Sequence, residues 1–475
     1  MKNQSRTKII ATIGPASRDR TILKKMFNAG VDVCRLNFSH ETHKVHGETI
    51  KMIRSLNEEM KTDVAILADL QGPKMRVGQI ENDKVEIKKG DILEITTKKQ
   101  VGNSKRVSID YEDFALDVEA GDIILIDDGK LKLKVVQSNK IDLVKAEILY
   151  DGFISSNKGV NLPNTEISLP GMTEKDVDDA HYAIENDVDW IALSFVRAES
   201  DVIELKQMIK RKKKKVSVIA KIEKPQAIER LDAIIAESDA IMVARGDLGV
   251  EIDFDRVPLV QKMIVEKSIN ASVPVIIATQ MMESMIDNFS PTRAEANDVA
   301  NAVLDGVDTL MLSGETAMGK FPVESIENMH KIIQYTEVNS YRYNRGNPPC
   351  PESPRFIRDS ICYSASIMAE RIGAKAIVTF SDKGNTAKTI SGYRPKADVF
   401  TFTRHTYLRS ILSLLWGVKA FYFDEYNDIN KAISCSIKHL KEGGYVQEGD
   451  YLIHVASTPF KVTHKTNLLK VTKVE

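Results

Sequence analysis

The chain has 475 residues, 43% of them hydrophobic and 28% charged, the balance of a globular protein too long for a single core. Its 66 basic and 67 acidic residues cancel, which excludes bulk attraction to nucleic acid or an anionic membrane, so an anion site has to come from local clusters. No stretch approaches the ~20 apolar residues of a membrane span, the first residues lack a secretory apolar core, and the four cysteines have neither metal-ligand spacing nor the numbers for a disulfide framework; the expectation is a reduced, cytoplasmic protein.

In chain order, short apolar runs rich in β-branched residues centre near Ile10, Leu36 and Ile66, then near Leu193, Ile219, Met242, Ile276 and Leu310. Helical patterns fill the intervals. Eight runs apolar on both faces predict a closed parallel (β/α)8 TIM barrel. One interval, the 127 residues from Ile66 to Leu193, is too long for a helix alone. Within it KVEIKKGDILEITT alternates, and GDIILIDDGKLKLKVV reads as a hairpin turning at Asp128–Gly129. A small antiparallel β-barrel domain over 74–170 is therefore expected as an insertion, leaving 1–73 and 171–344 for the barrel. It departs from the C-terminal end of the third strand, the face that carries barrel active sites, and so is placed to act as a lid. The basic run Lys210 to Lys215 reads as a solvated helix end ahead of an anion or nuclear-import site. From Ser290, with Ser290 as cap and Pro291 as first helical residue, Ala296, Val299, Ala300, Val303 and Leu304 make one apolar stripe that stops at Gly306. The stretch GNPPCPESP marks a boundary near 345. Beyond it AKAIVTFS, ADVFTFT, VKAFYF, DYLIHVAS and NLLKVTKV alternate with helical segments, as in an open α/β sheet over 345–475.

Buried barrel strands should be apolar, yet these runs end in polar groups. The second ends with Arg35, Asn37, Ser39 and His40, and the third with Asp69, Lys74 and Arg76. The fifth carries Lys221 and Glu223, the sixth Gly246 and Asp247, and the seventh Thr279 and Gln280. A single Asp after a strand is commonly a cap, and a lone Lys–Glu pair a salt bridge. Convergence of many strands on one mouth is harder to explain structurally. Two carboxylates, Glu223 and Asp247, suit Mg2+, and no His/Cys set suits zinc. Arg35, Arg76 and Lys221 suit a multiply charged phosphate. No P-loop GxxxxGK[ST] occurs. Chemistry alone reaches a barrel enzyme acting on phosphorylated, magnesium-chelating substrates.

The strings TKIIATIGPAS, CRLNFSH, KGVNLP, AKIEKPQAI, MVARGDLGVE, ATQMMESM, PTRAEANDVANAVLDG and MLSGETAMG, in this order, resemble the pyruvate kinase family across the whole chain. The resemblance implies phosphoryl transfer between phosphoenolpyruvate and ADP, giving pyruvate and ATP, with Mg2+ or Mn2+. It makes Lys221 the catalytic lysine and Glu223 and Asp247 the metal ligands. Arg35, Lys221, Gly246, Asp247 and Thr279 become the substrate side, with Arg35 and Thr279 also catalytic. Asn37, His40, Arg76 and Lys158 become the nucleotide side, with Thr12 and Pro15 flanking adenine. For SGETAMG it carries no catalytic role, and support of the barrel and of subunit contacts is expected. Positions matching a K+ site are Asn37, Ser39, Asp69 and Leu70. Many relatives carry a glutamate nearby where this chain has Lys74, which implies that the lysine replaces K+. TFSDKGNTA resembles an effector loop, with Ser381, Lys383, Asn385 and Thr386 donating to a sugar phosphate or nucleotide, although Asp382 adds a negative charge and STPFKVTHKTN departs from the glycine-rich pattern. The family is homotetrameric. Two alternatives stand beside this reading: an enolpyruvate or pyruvate lyase of the barrel class, which needs neither lid lysine nor Arg76 and His40, and a non-catalytic effector-binding relative.

Overall fold

The computed structural model describes residues 5–163, 165, 167–339, 343, 347–424, 428–458 and 466–475. Eight parallel strands close a barrel: β1 (Lys8–Thr12), β2 (Val33–Asn37), β3 (Ala65–Asp69), β4 (Trp190–Leu193), β5 (Ser217–Ile222), β6 (Ala240–Ala244), β7 (Val275–Ala278) and β8 (Thr309–Leu312), with β8 pairing back onto β1. Strand side chains alternate between two environments. Ile10, Val33, Leu67, Trp190, Ile219, Met242 and Ile276 fill the interior. Ile9, Cys34, Ile66, Ile191, Val218, Ile241 and Ile277 pack outward against the helices. This double burial is why the strands read as continuous apolar runs.

A fourfold device holds the floor. Asp32, Asp189, Asp239 and Asp308 immediately precede β2, β4, β6 and β8. Their carboxylates accept from the backbone N–H of Ile9 (2.9 Å), Ile66 (2.7 Å), Val218 (2.9 Å) and Val275 (3.0 Å). Each Asp N–H also donates to the carbonyl of that same residue. Every even strand thus grips the start of its odd predecessor, satisfying backbone groups where the ladder runs out. Burial raises the Asp189 carboxyl to about 6, against the pull of Arg54. At the last of these positions, Asp308 Oδ2 also pairs with Arg394 Nη2 at 2.7 Å, both side chains being buried. Arg394 also donates to the Gly306 carbonyl at 2.7 Å, so this pair joins the C-terminal domain to the barrel. Replacing Asp308 with alanine strands a buried guanidinium, and a loss of about 3–5 kcal/mol is expected. A lowered midpoint of denaturant unfolding reports it; an unchanged midpoint contradicts it.

The insertion between β3 and β4 is a seven-stranded sheet ordered Met75–Arg76, Gly159–Asn161, Ile123–Ile126, Leu131–Ser138, Leu143–Ile148, Ile92–Thr96, Arg106–Ser108. An antiparallel bridge between Val77 and Ile109 ties its two edges, closing it into a small barrel. The hairpin turns as expected, with Asp127, Asp128 and Gly129 all at positive φ (55°, 54° and 83°). The run KVEIKKGDILEITT gives two strands with different partners, Lys84–Ile87 beside Gly152–Ser155 and Ile92–Thr96 beside Leu143–Ile148. One lid pair, Ile92–Thr96 with Arg106–Ser108, is parallel.

The helix expected from Pro291 begins at Arg293 instead. Thr292, not Ser290, is its cap, and Glu295 completes a reciprocal capping box, which outcompetes a proline start by satisfying two backbone donors. Gly306 ends it at φ 96°, as expected. The basic run closes helix Glu199–Arg211, with Lys212 and Lys214 paired to Glu185 and Asp187 at 2.7 Å, consistent with a solvated helix end.

The C-terminal domain is a five-stranded sheet of β9 (Ala376–Phe380), β10 (Asp398–Thr403), β11 (Val418–Tyr422), β12 (Tyr451–Ser457) and β13 (Thr466–Lys473), ordered β11–β10–β9–β12–β13. Only β13 runs antiparallel, to β12. Among the described residues no helix is long and apolar enough to cross a membrane.

Candidate active site

The polar strand ends meet at the C-terminal mouth of the barrel. Asp69, the last residue of β3, is buried between two cations. Its Oδ2 accepts from Arg35 Nε at 2.7 Å, and its Oδ1 lies 3.4 Å from the Lys221 ammonium. Burial alone would raise Asp69; Lys221 and Arg35 overcome it and hold the carboxyl below its ordinary value. Arg35 Nη1 also donates to Thr12 Oγ1 at 2.9 Å, so the guanidinium is held between β1 and β3.

Lys221 is 8% exposed. Its Nζ donates to Ser194 Oγ at 2.7 Å and lies 2.9 Å from Glu223 Oε1. Burial acts to lower its pKa, but Asp69, Glu223 and Asp247 together raise it, so the ammonium stays charged. Glu223 is fully buried, its Oε2 accepting from the Phe195 N–H at 2.6 Å. Its Oε1 pairs with the Lys221 ammonium at 2.9 Å and has no other donor. Burial raises the Glu223 carboxyl, Lys221 opposes this, and the charge of Asp247 raises it further. Two carboxylates that repel each other, one with a buried oxygen met only by an ammonium, form a donor set that fits a small divalent cation.

Asp247 stands in the short helix Arg245–Glu251 that follows β6. The Gly246 N–H donates to Thr279 Oγ1 at 2.8 Å, and the Thr279 hydroxyl donates to the Ala278 carbonyl at 2.6 Å. A Cβ on Gly246 would come 3.3 Å from Thr279 Oγ1. Thr279 and Gln280 both hold positive φ (68° and 54°), a cost to non-glycine residues that surrounding contacts have to impose. Arg245 imposes it. Its guanidinium donates to the Thr279 and Gln280 carbonyls at 2.8 and 2.9 Å and is anchored on Asp298 at 2.7 Å.

Asn37, Ser39 and His40 lie at the end of β2 and in the loop after it, where Asn37 Oδ1 accepts from the Ser39 N–H at 3.1 Å. Lys74 Nζ comes 4.0 Å from Asp247 Oδ1, linking the lid's root to the metal-type carboxylates. Arg76 and Lys158 sit on or beside paired lid strands, Arg76 opposite Gly159. Arg76 donates to the Asn157 carbonyl at 3.0 Å and Lys158 pairs with Asp127 at 2.9 Å, so both are turned toward lid groups here. Pro15 follows Gly14, whose Cα packs so closely on Ala317 that a Cβ would lie 2.6 Å from its carbonyl. In SGETAMG, Glu315 accepts from the N–H groups of Met282 (3.1 Å) and Ser313 (2.7 Å), and Thr316 donates to the Thr12 carbonyl at 2.9 Å. That motif braces the mouth.

Three features escaped the sequence reading. Ser194 bridges Lys221 to the Leu70 carbonyl (2.7 Å), and Phe195 carries a positive φ of 54°; both follow β4, whose end has no charge to draw attention. Behind them, buried Glu251 Oε1 receives both Lys224 Nζ (2.5 Å) and Asn161 Nδ2 (2.7 Å), binding a lid strand to the barrel. The Arg245–Asp298 clamp joins residues 53 positions apart.

In the C-terminal domain, Ser381, Lys383, Asn385 and Thr386 follow β9 and enter helix Asn385–Gly392. Ser381 Oγ accepts from the Gly384 N–H at 2.9 Å, and Thr386 Oγ1 meets Thr466 Oγ1 at 3.0 Å. Asp382 is paired with Arg404 at 2.9 Å, which offsets its negative charge. Much of STPFKVTHKTN lies outside the described residues.

Residues 4–326 match the family profile "Pyruvate kinase, barrel domain", and residues 359–472 match "Pyruvate kinase, alpha/beta domain". The chain is 41% identical over 475 residues to pyruvate kinase 2 of Synechocystis, covering 99% of this chain and 79% of that one. It is 40% identical over 469 residues to the pyruvate kinase of Mycobacterium tuberculosis, covering 99% and 98%. A crystal structure of a Cryptosporidium parvum pyruvate kinase superposes with a TM-score of 0.92 at 35% identity, covering 99% of this chain and 96% of that one. With both domains matched in order over nearly its whole length, this chain belongs to the pyruvate kinase family.

Proposed function

We propose that the barrel mouth transfers the phosphoryl group of phosphoenolpyruvate to ADP, with the buried series Arg35–Asp69–Lys221–Glu223 as its working centre. That series carries the reading, because it fixes two cations 2.7 and 3.4 Å from one buried carboxylate, at the mouth. Arg35 and Lys221 face the phosphate, and Lys221 stabilises charge on the oxygen that links it to the enolate. Glu223 and Asp247 would hold Mg2+, or Mn2+ in its place, which supplies charge neutralisation and orients phosphate oxygens. Gly246 and Thr279 line the carboxylate side, where the Thr279 hydroxyl is held for the methylene carbon that is protonated. Asn37, His40, Arg76 and Lys158 take the nucleotide, with the last two swinging inward as the lid closes. Pyruvate formation from phosphoenolpyruvate and ADP, dependent on divalent metal, tests the assignment; a purified protein that forms no pyruvate overturns it.

The same reading includes independence from K+. Of the oxygens that would bind K+, Asn37 Oδ1 accepts from the Ser39 N–H, the Leu70 carbonyl from Ser194 and Asp69 Oδ2 from Arg35, while Asp69 Oδ1 lies 3.4 Å from the Lys221 ammonium. Lys74 puts its own positive charge 4.0 Å from Asp247. Activity in tetramethylammonium buffer is expected to rise less than about twofold on adding K+, and Lys74→Glu to lose roughly tenfold there and recover with K+. Manyfold activation of the parent enzyme by K+ contradicts this.

The cytoplasmic enzyme is proposed to act as a homotetramer, with a sugar phosphate or nucleotide bound by Ser381, Lys383, Asn385 and Thr386. Exposed apolar side chains on the outer helices, including Tyr335, Val338 and Ile357, suit subunit burial. Light scattering and effector titration of the activity test these two points.

A further inference from the structure

The first turns of helix Glu174–Glu185 hold three mouth-facing segments at once. Asp176 Oδ1 accepts from the N–H of Gly72 at 2.9 Å, where the chain leaves for the lid. Asp176 Oδ2 accepts from the Thr173 N–H (3.0 Å) and hydroxyl (2.6 Å), where the chain returns. One carboxylate thus spans both lid hinges.

The same helix reaches the loop after β2. Lys175 Nζ donates to the Phe38 carbonyl at 2.7 Å and to Asp179 Oδ2 at 2.5 Å. Asp179 Oδ1 meets His43 Nε2 at 2.7 Å, the His43 ring stacks on Tyr182 at 4.2 Å, and the Tyr182 hydroxyl donates to the His43 carbonyl at 2.6 Å. Phe38 and His43 bracket Ser39 and His40. The donor atoms of His43, Asp178 and Asp179 lie within 4.8 Å of one another, but the Lys175 ammonium already satisfies Asp179 and no further cation is needed.

We infer that Lys175, with Asp179 and His43, is a positioning group for the nucleotide: it locks the β2 loop to the helix that carries both lid hinges, so that the loop and lid present a single ADP site. The inference rests on the nucleotide-side role proposed above for Asn37 and His40. Lys175 is half exposed (52%), and buried Asp179 (5%) keeps His43 Nε2 at 2.7 Å when the ammonium is removed, so the core stays closed. Its effect is local. The Phe38 carbonyl loses its charge-assisted donor and the loop loosens, while Arg35, Lys221 and Glu223 keep every contact.

The test is steady-state kinetics of Lys175→Met, Lys175→Arg and Asp179→Asn, with His40→Ala alongside. Lys175→Met is expected to raise KM for ADP roughly three- to tenfold, with KM for phosphoenolpyruvate and kcat within about twofold. Lys175→Arg should recover most of the loss, and Asp179→Asn should act in the same direction. An unchanged ADP KM in Lys175→Met, while His40→Ala raises it, overturns the inference alone. Equal rises in both KM values with a fall in kcat also overturn it, since they mark general loosening. If neither Lys175→Met nor His40→Ala moves the ADP KM, the nucleotide-side reading of the loop fails and takes the inference with it.

Discussion

Lys221→Met is expected to lower kcat by about 10³-fold, while the protein keeps its fold and still binds phosphoenolpyruvate. Methionine keeps an unbranched apolar stem, so packing around a site 8% exposed is little changed. What disappears is the cation that lies 2.9 Å from Glu223 and 3.4 Å from Asp69. Arg35 remains to bind the phosphate in the ground state, so KM for phosphoenolpyruvate should move far less than kcat. An amine fixed in a low-dielectric mouth contributes most where charge develops during transfer, which places the loss in turnover. Near-parental turnover in a pyruvate-forming assay would remove Lys221 from the chemistry.

Glu223→Gln is expected to raise the Mg2+ concentration for half-maximal activity by about 10²-fold, with kcat also falling. Glutamine is nearly isosteric and its carbonyl can still accept from the Phe195 N–H, now at 2.6 Å from Oε2. The charge that attracts a divalent ion is gone, and Asp247, about one-third exposed, is a poor site alone. A purely structural role for Glu223 would leave the metal curve in place and lower thermal stability instead. Titrating activity with Mg2+ and following unfolding on the same sample separates the two.

Much of the site was legible because charge in an otherwise apolar strand is conspicuous. Lys221 near the end of β5 and Glu223 just past it, Arg35 in β2 and Asp69 ending β3 stand out against adjacent residues that are buried. The interval between Ile66 and Leu193 likewise announced an insertion. Less conspicuous elements were missed or misplaced. Ser194 and Phe195 are an ordinary hydroxyl and an ordinary aromatic in sequence, and matter through Lys221 and Glu223, which come from another strand. The cap at Thr292 was displaced to Ser290 because a proline start and a capping box compete over two residues, and the box satisfies more backbone donors. The four aspartates before the even strands look like unrelated turn residues until the barrel closes.

The sequence by itself determined the periodicities, and through them the barrel, the insertion, the C-terminal sheet and the kinds of side chain at each strand end. Those properties depend on neighbours a few residues away. Which charges touch was decided only by the tertiary structure. Arg35 and Asp69 meet across β2 and β3, Lys74 reaches Asp247 from the root of the lid, and Asp308 finds Arg394 in another domain. Barrel closure sets those distances, since it brings strands far apart in the chain to one rim, and a change in strand stagger would separate every pair while leaving the local pattern intact.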